Sequence, residues 1–456
     1  MPNRVLFLLF TIVSQSAWGA NAAPVVLSQP SRQAASQLID AALKDEDGLK
    51  RLEYLCYRIG SRLSGSVALD RAIEWSAAEM KKAGLENVRT IPVKVPHWVR
   101  GRESAEMLTP LQKPLFMFGL GNSVGTAPGG ITADVVAVKD FDELDRLGRA
   151  GVEGKMVLFD APYVSYGKTV QYRAQGPSRA ARLGAVAALV RSVTGRSLRD
   201  PHTGALFYLD NDPKIPAAAV TVEDSIWIHH LIEAGEHVRV HLEMEAHFEA
   251  DAESANVMGE IVGHEKPDEV VVLGGHLDSW DVGQGAHDDG SGVIAALQAV
   301  ALIKQLGLKP QRTIRVVFWT NEENGGRGGV AYRDWLGVDV KKHVAAIEMD
   351  GGAEKPKGFE LATGSHAPPE MRRKAEAIAA LLKRVNADKI MDGDSEADIT
   401  PLMKEGVPAF GLRTVMEHYF DYHHTQADTF DKIVPQEFRE CVAAFAVMGY
   451  LLADLP

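Results

Sequence analysis

The chain has 456 residues, enough for two or three domains, of which 46% are hydrophobic and 24% charged. These fractions are those of an ordinary globular protein and argue against a disordered or fibrous chain. The formal net charge of −12, together with a sequence that has no cluster of lysine and arginine, argues against a nucleic acid as partner.

The first segment is typical of a secretory signal peptide. A basic start at Arg4 is followed by the short apolar run VLFLLFTIV and an alanine-rich site, which predicts a signal peptide over residues 1–22. The apolar run is about half as long as a bilayer requires, and no other stretch of the sequence is long and apolar enough to span one. We therefore expect a mature protein that is secreted or periplasmic and has no membrane partner.

Helical patterns come next in the chain. Residues 31–60 place apolar side chains at helical spacing, and the segment 67–84 has the same pattern and ends at a glycine. The segments VRTIPVKVPHW and ESAEMLTP then have the character of strands. The two cysteines, Cys56 and Cys441, could form a disulfide if the first and last helices touch, although we favour two buried free thiols.

The glycine-rich stretch GLGNSVGTAPGG, at 119–130, predicts a domain boundary. Its glycine spacing misses the dinucleotide-binding fingerprint by one residue, and a proline stands where a helix should begin, which argues against a nucleotide site. Short strands and short helices alternate from 131 to 248 without gathering any site residues. We predict that residues 119–248 form an inserted domain, and that 23–118 and 249–456 together form the catalytic domain.

From residue 256 onward, strand and helix patterns alternate. Strands are predicted at NVMGEIVG, DEVVVLGGH, RTIRVVFWTNEE, HVAAIEMDGG and VPAFGLRT, and helices at SGVIAALQAVALIKQLG, GGVAYRDWLG, PEMRRKAEAIAALLKRV and 436–454. This alternation predicts the α/β class, with an α/β/α sandwich around a mostly parallel mixed sheet.

Metal-binding residue types gather where these strands end. The carboxyl ends of strands in open α/β sheets are where such folds build their sites. The residues in question are His276, Asp278, Asp288, Asp289, Glu322, Glu323, Asp350, His423 and His424. Any one of them could be an ordinary loop residue, but three successive strands that all end in such residues favour a metal site.

The mixture of histidine and carboxylate without cysteine suits Zn²⁺, with Mn²⁺ or Co²⁺ as alternatives. Two histidines and three carboxylates are more ligands than one tetrahedral ion needs. A carboxylate that bridges two ions, about 3.5–4 Å apart, would use all of them and leave room for water.

The motifs, in this order, resemble the di-zinc aminopeptidase family, and they extend over nearly the whole mature chain. They are His276-x-Asp278, Asp288-Asp-Gly-Ser-Gly292, Glu322-Glu323, Asp350 and His424-x-x-x-Asp428-Thr429. The runs HLDSWDVGQGA and YRIGSRLSGS resemble one branch of that family in particular. The inserted segment lies where that branch carries a protease-associated domain.

The resemblance implies a ligand for each position of a two-zinc centre. His276 and Asp350 would hold one zinc ion, and Glu323 and His424 would hold the other. Asp288 would bridge the two ions. Glu322, which is adjacent to a ligand, would be the general base that takes a proton from the attacking water.

Two further roles are expected beside the ligands. Asp278 would accept a hydrogen bond from the second ring nitrogen of His276 and so fix its tautomer. His423 stands where many members of the family have a tyrosine that donates to the oxyanion, while Tyr422 is one position further back. We predict that His423 donates to the oxyanion or to a substrate carboxylate; the alternative is that it only packs beside the site.

Other polar residues of this region receive weaker assignments. Asp281 or Asp289 could meet a substrate ammonium group, but we favour helix capping or loop structure for both. Ser291 has no partners of a catalytic triad. Asp398 matches a recurrent aspartate of the family and is expected to line the pocket.

The resemblance implies an exported di-zinc exopeptidase that hydrolyses dipeptides or short peptides with a free N-terminus. A broad aminopeptidase is the main alternative, and a one-zinc glutaminyl cyclase and a non-catalytic receptor-like protein are weaker ones. The complete ligand set and Glu322 argue against the last two. Side-chain preference and the choice among dipeptidase, aminopeptidase and carboxypeptidase modes stay open, and a homodimer is suggested by the resemblance alone.

Overall fold

The computed structural model describes residues 25–209, 211–362 and 369–456. The predicted signal peptide, 1–22, lies outside these ranges. None of the helices within them combines the length and the apolar character that a membrane span needs.

The α-helices of the described residues lie around two eight-stranded sheets, and a two-stranded sheet of Trp98–Val99 and His247–Phe248 lies apart from these. In chain order the helices are α1 Gln29–Ala42, α2 Asp47–Tyr54, α3 Val67–Lys82, α4 Phe141–Val152, α5 Tyr166–Arg182, α6 Val222–Glu233, α7 Ser291–Gln305, α8 Arg327–Leu336, α9 Pro369–Ala379, α10 Thr400–Lys404, α11 Tyr419–Tyr422 and α12 Pro435–Asp454.

The strands follow the same chain order. They are β1 Glu86–Val95, β2 Trp98–Val99, β3 Glu103–Thr109, β4 Lys113–Leu115, β5 Met117–Gly119, β6 Ile131–Val138, β7 Met156–Phe159, β8 Ala187–Arg191, β9 Ala217–Val220, β10 Arg239–Met244, β11 His247–Phe248, β12 Ala252–Ile261, β13 Lys266–His276, β14 Arg312–Trp319, β15 His343–Glu348, β16 Pro356–Ala362, β17 Ile390–Asp392 and β18 Ala409–Thr414.

One sheet carries the predicted metal site. Its strand order is β1-β12-β14-β13-β15-β18-β16-β17, and β14, β13, β15 and β18 run parallel to one another at its centre. Successive side chains of β13 point to opposite faces: Val271 and Leu273 pack with α1, α3, α7 and α12, whereas Val272 packs with α8 and α10. The predicted α/β/α sandwich around a mixed sheet is therefore confirmed.

A second sheet has the order β4-β3-β10-β6-β7-β8-β9-β5, with β6 to β9 parallel. Residues 119–248, predicted as an inserted domain, supply most of it, but β3 and β4 lie upstream of residue 119. We call residues 103–248 the second-sheet unit, and we propose that the inserted domain begins near Glu103. Its protease-associated character stays a prediction.

Two segments differ from the sequence expectation. The helical pattern of 31–60 is divided between α1 and α2, because the Asp45 carboxylate accepts a hydrogen bond from the Gly48 amide at 2.8 Å and starts a new helix. Strands β16 and β17 extend the first sheet beyond β18, and no strand was predicted there. Cys56 and Cys441 are both buried and free, as favoured from the sequence.

Candidate metal centre

The predicted site residues meet at one edge of the first sheet. His276 is the last residue of β13, Glu322 and Glu323 follow β14, and Asp350 follows β15. These three strands are adjacent and parallel, so that their carboxyl ends lie side by side. Asp288 enters from the irregular turn that precedes α7.

His276, Asp288 and Asp350 form a first group of potential ligands. The Nε2 atom of His276 lies 3.2 Å from Oδ1 of Asp350 and 3.2 Å from Oδ1 of Asp288. These three ligand atoms are close enough together to hold one metal ion. His276 and Asp288 are buried, and Asp350 is half-buried at the wall of a cleft.

A second group surrounds His424. Its Nε2 atom lies 3.1 Å from Oε2 of Glu323 and 3.2 Å from Oδ2 of Asp288. His423 stacks on His424 with ring centroids 3.6 Å apart, and its Nε2 lies 3.7 Å from the same Asp288 oxygen. Asp288, His423 and His424 also satisfy the geometry of a metal-binding group. The second position thus has His423 within reach besides the three predicted ligands.

Asp288 stands between the two groups. Its Oδ1 faces His276, and its Oδ2 faces His424. Among the described residues no donor meets hydrogen-bond geometry at Oδ2, although that oxygen is buried. Burial of an unpaired carboxylate oxygen is costly unless a cation compensates it. The donor set therefore fits a carboxylate-bridged metal pair.

Two of the site's histidines, His276 and His424, have raised pKa values. Burial lowers the pKa of His276, but Asp350 and Asp288 outweigh it and hold that pKa well above the usual value. In the same way, Glu323 and Asp288 overcome burial and raise the pKa of His424 to about 9. Protons thus lie where a cation would lie, and metal binding would release them.

The carboxylates respond to burial and to one another. Burial raises the pKa of Glu323 to about 7, with the charge of Asp288 adding to the effect. Burial also raises the pKa of Asp350. Burial would raise the pKa of Asp288, but the imidazoles of His276 and His424 that face it outweigh burial and hold its pKa well below the usual range. Asp288 is thus the carboxylate that keeps its charge, as a bridge between cations requires.

Glu322 points into the cleft rather than into either ligand group. It is half-buried, and burial raises its pKa well above the usual value, with the charges of Asp350 and Glu323 adding to this. Its amide donates to Oδ1 of Asp278 at 3.1 Å, which fixes the start of the turn after β14. A carboxylate with this environment is suited to proton transfer.

Asp278 acts differently from the sequence prediction. The Nδ1 atom of His276 is 3.0 Å from the Asp278 carbonyl oxygen, whereas the Asp278 carboxylate is 3.8 Å away. The main chain, not the side chain, is thus the acceptor that orients the imidazole. The carboxylate instead accepts from the amides of Glu322 and Glu323, at 3.1 and 3.3 Å. It holds these two residues beside the histidine.

Two other aspartates support the loop of Asp288. Asp289 accepts from the His276 amide at 3.0 Å and from the Gly292 amide at 3.0 Å, which confirms the predicted helix-capping role. Asp428 accepts from the amides of His287 and Asp288, at 2.7 and 3.1 Å. This role of Asp428 was not predicted, although the residue lies within the motif His424-x-x-x-Asp428-Thr429.

Arg62 is a buried cation beneath the same loop, with no exposed surface. Its guanidinium donates to the carbonyl oxygens of Leu277 at 2.5 Å, Gln284 at 2.7 Å and Gly285 at 3.0 Å. These acceptors lie just after His276 and just before Asp288. Arg62, from the YRIGSRLSGS run, therefore holds both ends of the loop between two ligands, and its role was not predicted.

The substitution Arg62→Lys is expected to weaken the metal site and the fold together. Lysine keeps the charge, but its single ammonium group cannot donate to three carbonyl oxygens as the planar guanidinium does. We expect a loss of about 2–4 kcal/mol in the free energy of unfolding and about tenfold weaker zinc binding. Thermal unfolding and a competitive zinc titration measure these effects.

Arg71→Lys is the matched control, because Arg71 is exposed and its guanidinium donates to one carbonyl oxygen, that of Arg58, at 2.9 Å. This control should resemble wild type. An Arg62→Lys protein with unchanged unfolding and zinc affinity would show that the three buried hydrogen bonds do not position the loop.

The metal centre opens into a cleft of 470 Å³ between the two sheets. The first sheet's side supplies Asp288, Glu322, Glu323, Asp350, Glu396, Met416, Tyr419, Phe420, His423 and His424. The second-sheet unit supplies Tyr166, Val170, Arg173, Ala174, Ala205 and Phe207. The volume suits a short peptide rather than a folded protein chain.

The remaining predicted residues lie around the cleft. Asp281 forms a paired contact with Arg100, at 2.6 and 2.8 Å, and Arg100 in turn donates to the Gly119 carbonyl oxygen of the second-sheet unit, which agrees with a loop role for Asp281. Asp398 is buried and does not line the cleft, contrary to the expectation for it. Tyr422 stacks on His287 at 5.8 Å and is also outside the cleft lining. Ser291 donates to the His287 carbonyl oxygen at 3.1 Å.

Tyr166 and Arg173 were not predicted. They lie more than a hundred residues before the nearest ligand in the chain, and the sequence around them has no pattern of a site. Only the folded structure brings them to the metal centre, where Arg173 Nη1 lies 3.4 Å from Nδ1 of His424.

Comparison with known proteins finds relatives in both sequence and fold. The family model of peptidase family M28 matches residues 256–448. The chain is 42% identical to carboxypeptidase Q of Mus musculus over 406 residues, which are 89% of this chain and 85% of that protein. It is 33% identical to a peptidase M28 precursor from Shewanella amazonensis SB2B, whose crystal structure superimposes with a TM-score of 0.88 over 93% of this chain and 97% of that chain. A zinc aminopeptidase from Bacillus subtilis, 18% identical, shares the fold with a TM-score of 0.67 over 89% of this chain and 96% of that chain.

Proposed function

Because the chain belongs to peptidase family M28 and is a carboxypeptidase Q-like peptidase, we propose that it is an exported di-zinc exopeptidase. Its substrates are dipeptides or short peptides with a free N-terminus. The observation that carries the proposal is the position of Asp288, whose two oxygens each lie 3.2 Å from a different histidine.

The ligand assignment follows from the two groups around Asp288. His276 and Asp350 would hold one zinc ion, Glu323 and His424 would hold the other, and both ions would share Asp288. Nitrogen and carboxylate donors without cysteine are a normal zinc set. Bound zinc supplies Lewis acidity, which makes hydroxide available near neutral pH and polarises the peptide carbonyl.

Three side chains around the metal centre have separate roles in the proposed reaction. Glu322, in the cleft but outside both ligand groups, takes a proton from the attacking water and returns it to the leaving nitrogen. The His276 imidazole keeps its Nε2 turned to the ligand position, because its Nδ1 is occupied by the Asp278 carbonyl oxygen. Burial is the main cause that lowers the pKa of His423 well below the usual value. His423 is thus neutral and can donate one ring proton to the substrate.

A broad aminopeptidase is the second candidate, since a cleft of 470 Å³ does not by itself set the length of the bound peptide. The one-zinc glutaminyl cyclase alternative is disfavoured by the shared position of Asp288, since a single ion would leave either His276 or His424 without a metal. A homodimer stays a proposal that rests on the resemblance.

The proposed function is tested with a panel of dipeptides and tripeptides, some of them N-acetylated. We expect hydrolysis of free dipeptides, loss of activity of at least about 10³-fold after chelation, and recovery when zinc is restored. N-acetylation should reduce kcat/KM by at least about tenfold, because the ammonium group is lost from an acidic cleft.

Liquid chromatography of the released amino acids measures each rate, and untreated enzyme dialysed without chelator is the control. Equal rates on free and N-acetylated peptides would contradict the free N-terminus. Full activity in the chelated, zinc-free protein would contradict the metallopeptidase itself.

A further inference from the structure

A cation and a phenol of the second-sheet unit face the metal centre across the cleft. Arg173 and Tyr166 both belong to α5, and Arg173 is only 6% exposed. Its Nη1 donates to the Thr203 carbonyl oxygen at 3.1 Å, and its Nη2 donates to Tyr166 Oη at 2.9 Å. Neither contact neutralises the guanidinium charge.

Arg173 has no counter-ion of its own among the residues that the structure describes. Within the described ranges no carboxylate forms an ion pair with it, and its buried Nε atom has no acceptor. A buried charge usually has a hydrogen-bonded partner of opposite sign. Once zinc balances the carboxylates of the metal centre, the charge of Arg173 favours an anion in the adjoining cleft.

Tyr166 is the group that carries this charge into the cleft. Its ring lies edge-on to His423 at 5.0 Å and stacks on Phe420 at 5.2 Å, so that its position is fixed from two sides. The hydroxyl oxygen accepts from Arg173, and its own proton has no acceptor among the residues described. The Tyr419 hydroxyl, by contrast, donates to the Asp350 carbonyl oxygen at 3.3 Å.

The phenol is a donor and not a base. Burial raises the pKa of Tyr166, Arg173 opposes this, and the charges of Asp288 and Glu322 raise it further, so that the proton stays in place at neutral pH. A hydroxyl that accepts from a guanidinium is also polarised, which strengthens the bond that it donates.

We propose that the Tyr166 hydroxyl, held and polarised by Arg173, donates a hydrogen bond to an anionic oxygen of the bound peptide. This inference rests on the peptidase function proposed above. A peptide offers such an oxygen in two forms: the oxyanion that develops at the scissile carbonyl, and the carboxylate of its C-terminus. In either form, the second-sheet unit completes the active site, and Tyr166 is a catalytic or specificity-determining residue.

Tyr166→Phe tests the inference, since it removes one oxygen atom and leaves the ring contacts. The kinetics are measured on a free dipeptide and on its C-terminal amide. A bond to the oxyanion predicts that kcat falls about 10²-fold on both substrates. A bond to the carboxylate predicts that KM rises about tenfold on the free acid alone. Arg173→Lys should change the same parameter less strongly.

The controls come from the same unit. Tyr163→Phe makes the same chemical change at a ring that lies 6.1 Å from Phe420 but outside the cleft lining. Arg179→Lys changes another arginine of α5, whose guanidinium lies over the Phe141 ring and outside the cleft lining. Both should behave as wild type. Tyr166→Phe kinetics equal to these controls on both substrates would overturn the inference while leaving the peptidase function intact.

A binding measurement separates this inference from the proposed function. Calorimetry of the zinc-loaded protein with a phosphinic dipeptide analogue, which has an anionic tetrahedral group and a terminal carboxylate, does not depend on turnover. Affinity at least tenfold weaker in Tyr166→Phe supports the inference even if wild type hydrolyses no peptide in the panel. Equal affinities, or no binding by wild type, would overturn it.

Discussion

Glu322→Gln is expected to lower kcat on a good dipeptide by about 10²–10⁴-fold with normal zinc content. Glutamine has nearly the shape of glutamate but cannot take a proton from water. Glu322 faces the cleft and lies outside both ligand groups, so that the substitution should not disturb the metal ions. Its amide bond to Asp278 is a main-chain contact and is retained. Rates, zinc content and thermal unfolding are measured on the same preparation.

Glu405→Gln is the matched control, because it makes the same change at an exposed side chain that does not line the cleft. It should keep wild-type activity. If Glu322→Gln retains activity within about tenfold of wild type, the general base is another group. If it loses a zinc ion, Glu322 is a ligand, and the roles assigned to Glu322 and Glu323 are exchanged.

Asp288→Asn is expected to abolish the metal pair. One uncharged oxygen would replace the carboxylate that faces both His276 and His424, and each ion would lose an anionic ligand. Loss of an outer-sphere partner typically weakens metal binding by about 10–100-fold, and loss of a shared ligand should exceed this. We expect a fall from two zinc ions per chain to one or none, and activity below detection.

The same variant should lose the stabilisation that zinc gives. A ligand that binds only the folded state raises its stability by RT ln(1 + [L]/Kd). Weaker zinc binding should therefore reduce the difference in thermal unfolding midpoint between the variant with zinc and the variant without it. Asp281→Asn is the control from the same loop, since Asp281 pairs with Arg100 and not with a ligand. Two zinc ions in Asp288→Asn would show that the bridge is not needed.

Much of the site could be predicted from the order of residues along the chain. His276, Glu323 and Asp350 each come at or just after the end of an apolar strand, and neighbouring parallel strands end at one edge of a sheet. This local rule brings together residues that are far apart in sequence. The motif around Asp288 and the pair His423–His424 also indicated the family, and the sequence relatives confirm that family.

The division of roles within the loop could not be predicted. The sequence places Asp278 two residues after His276 but does not say whether its carboxylate or its carbonyl oxygen reaches the ring. The backbone path decides this: it turns the carbonyl to Nδ1 and the carboxylate to the amides of Glu322 and Glu323. Asp398 was misplaced for the same reason, since a family motif fixes a position in the chain and not the direction of a side chain.

The sequence by itself determined the fold class, the ends of the strands and the ligand types, because hydrophobic periodicity and chain order are local properties. Only the tertiary structure decided which distant groups support or face the metal centre. Arg62 reaches carbonyl groups more than two hundred residues away, and Arg173 and Tyr166 come from α5 of the second-sheet unit. Such contacts depend on how two packed units meet. Hydrophobic periodicity reports only local structure, so it does not predict which residues of the two units will touch.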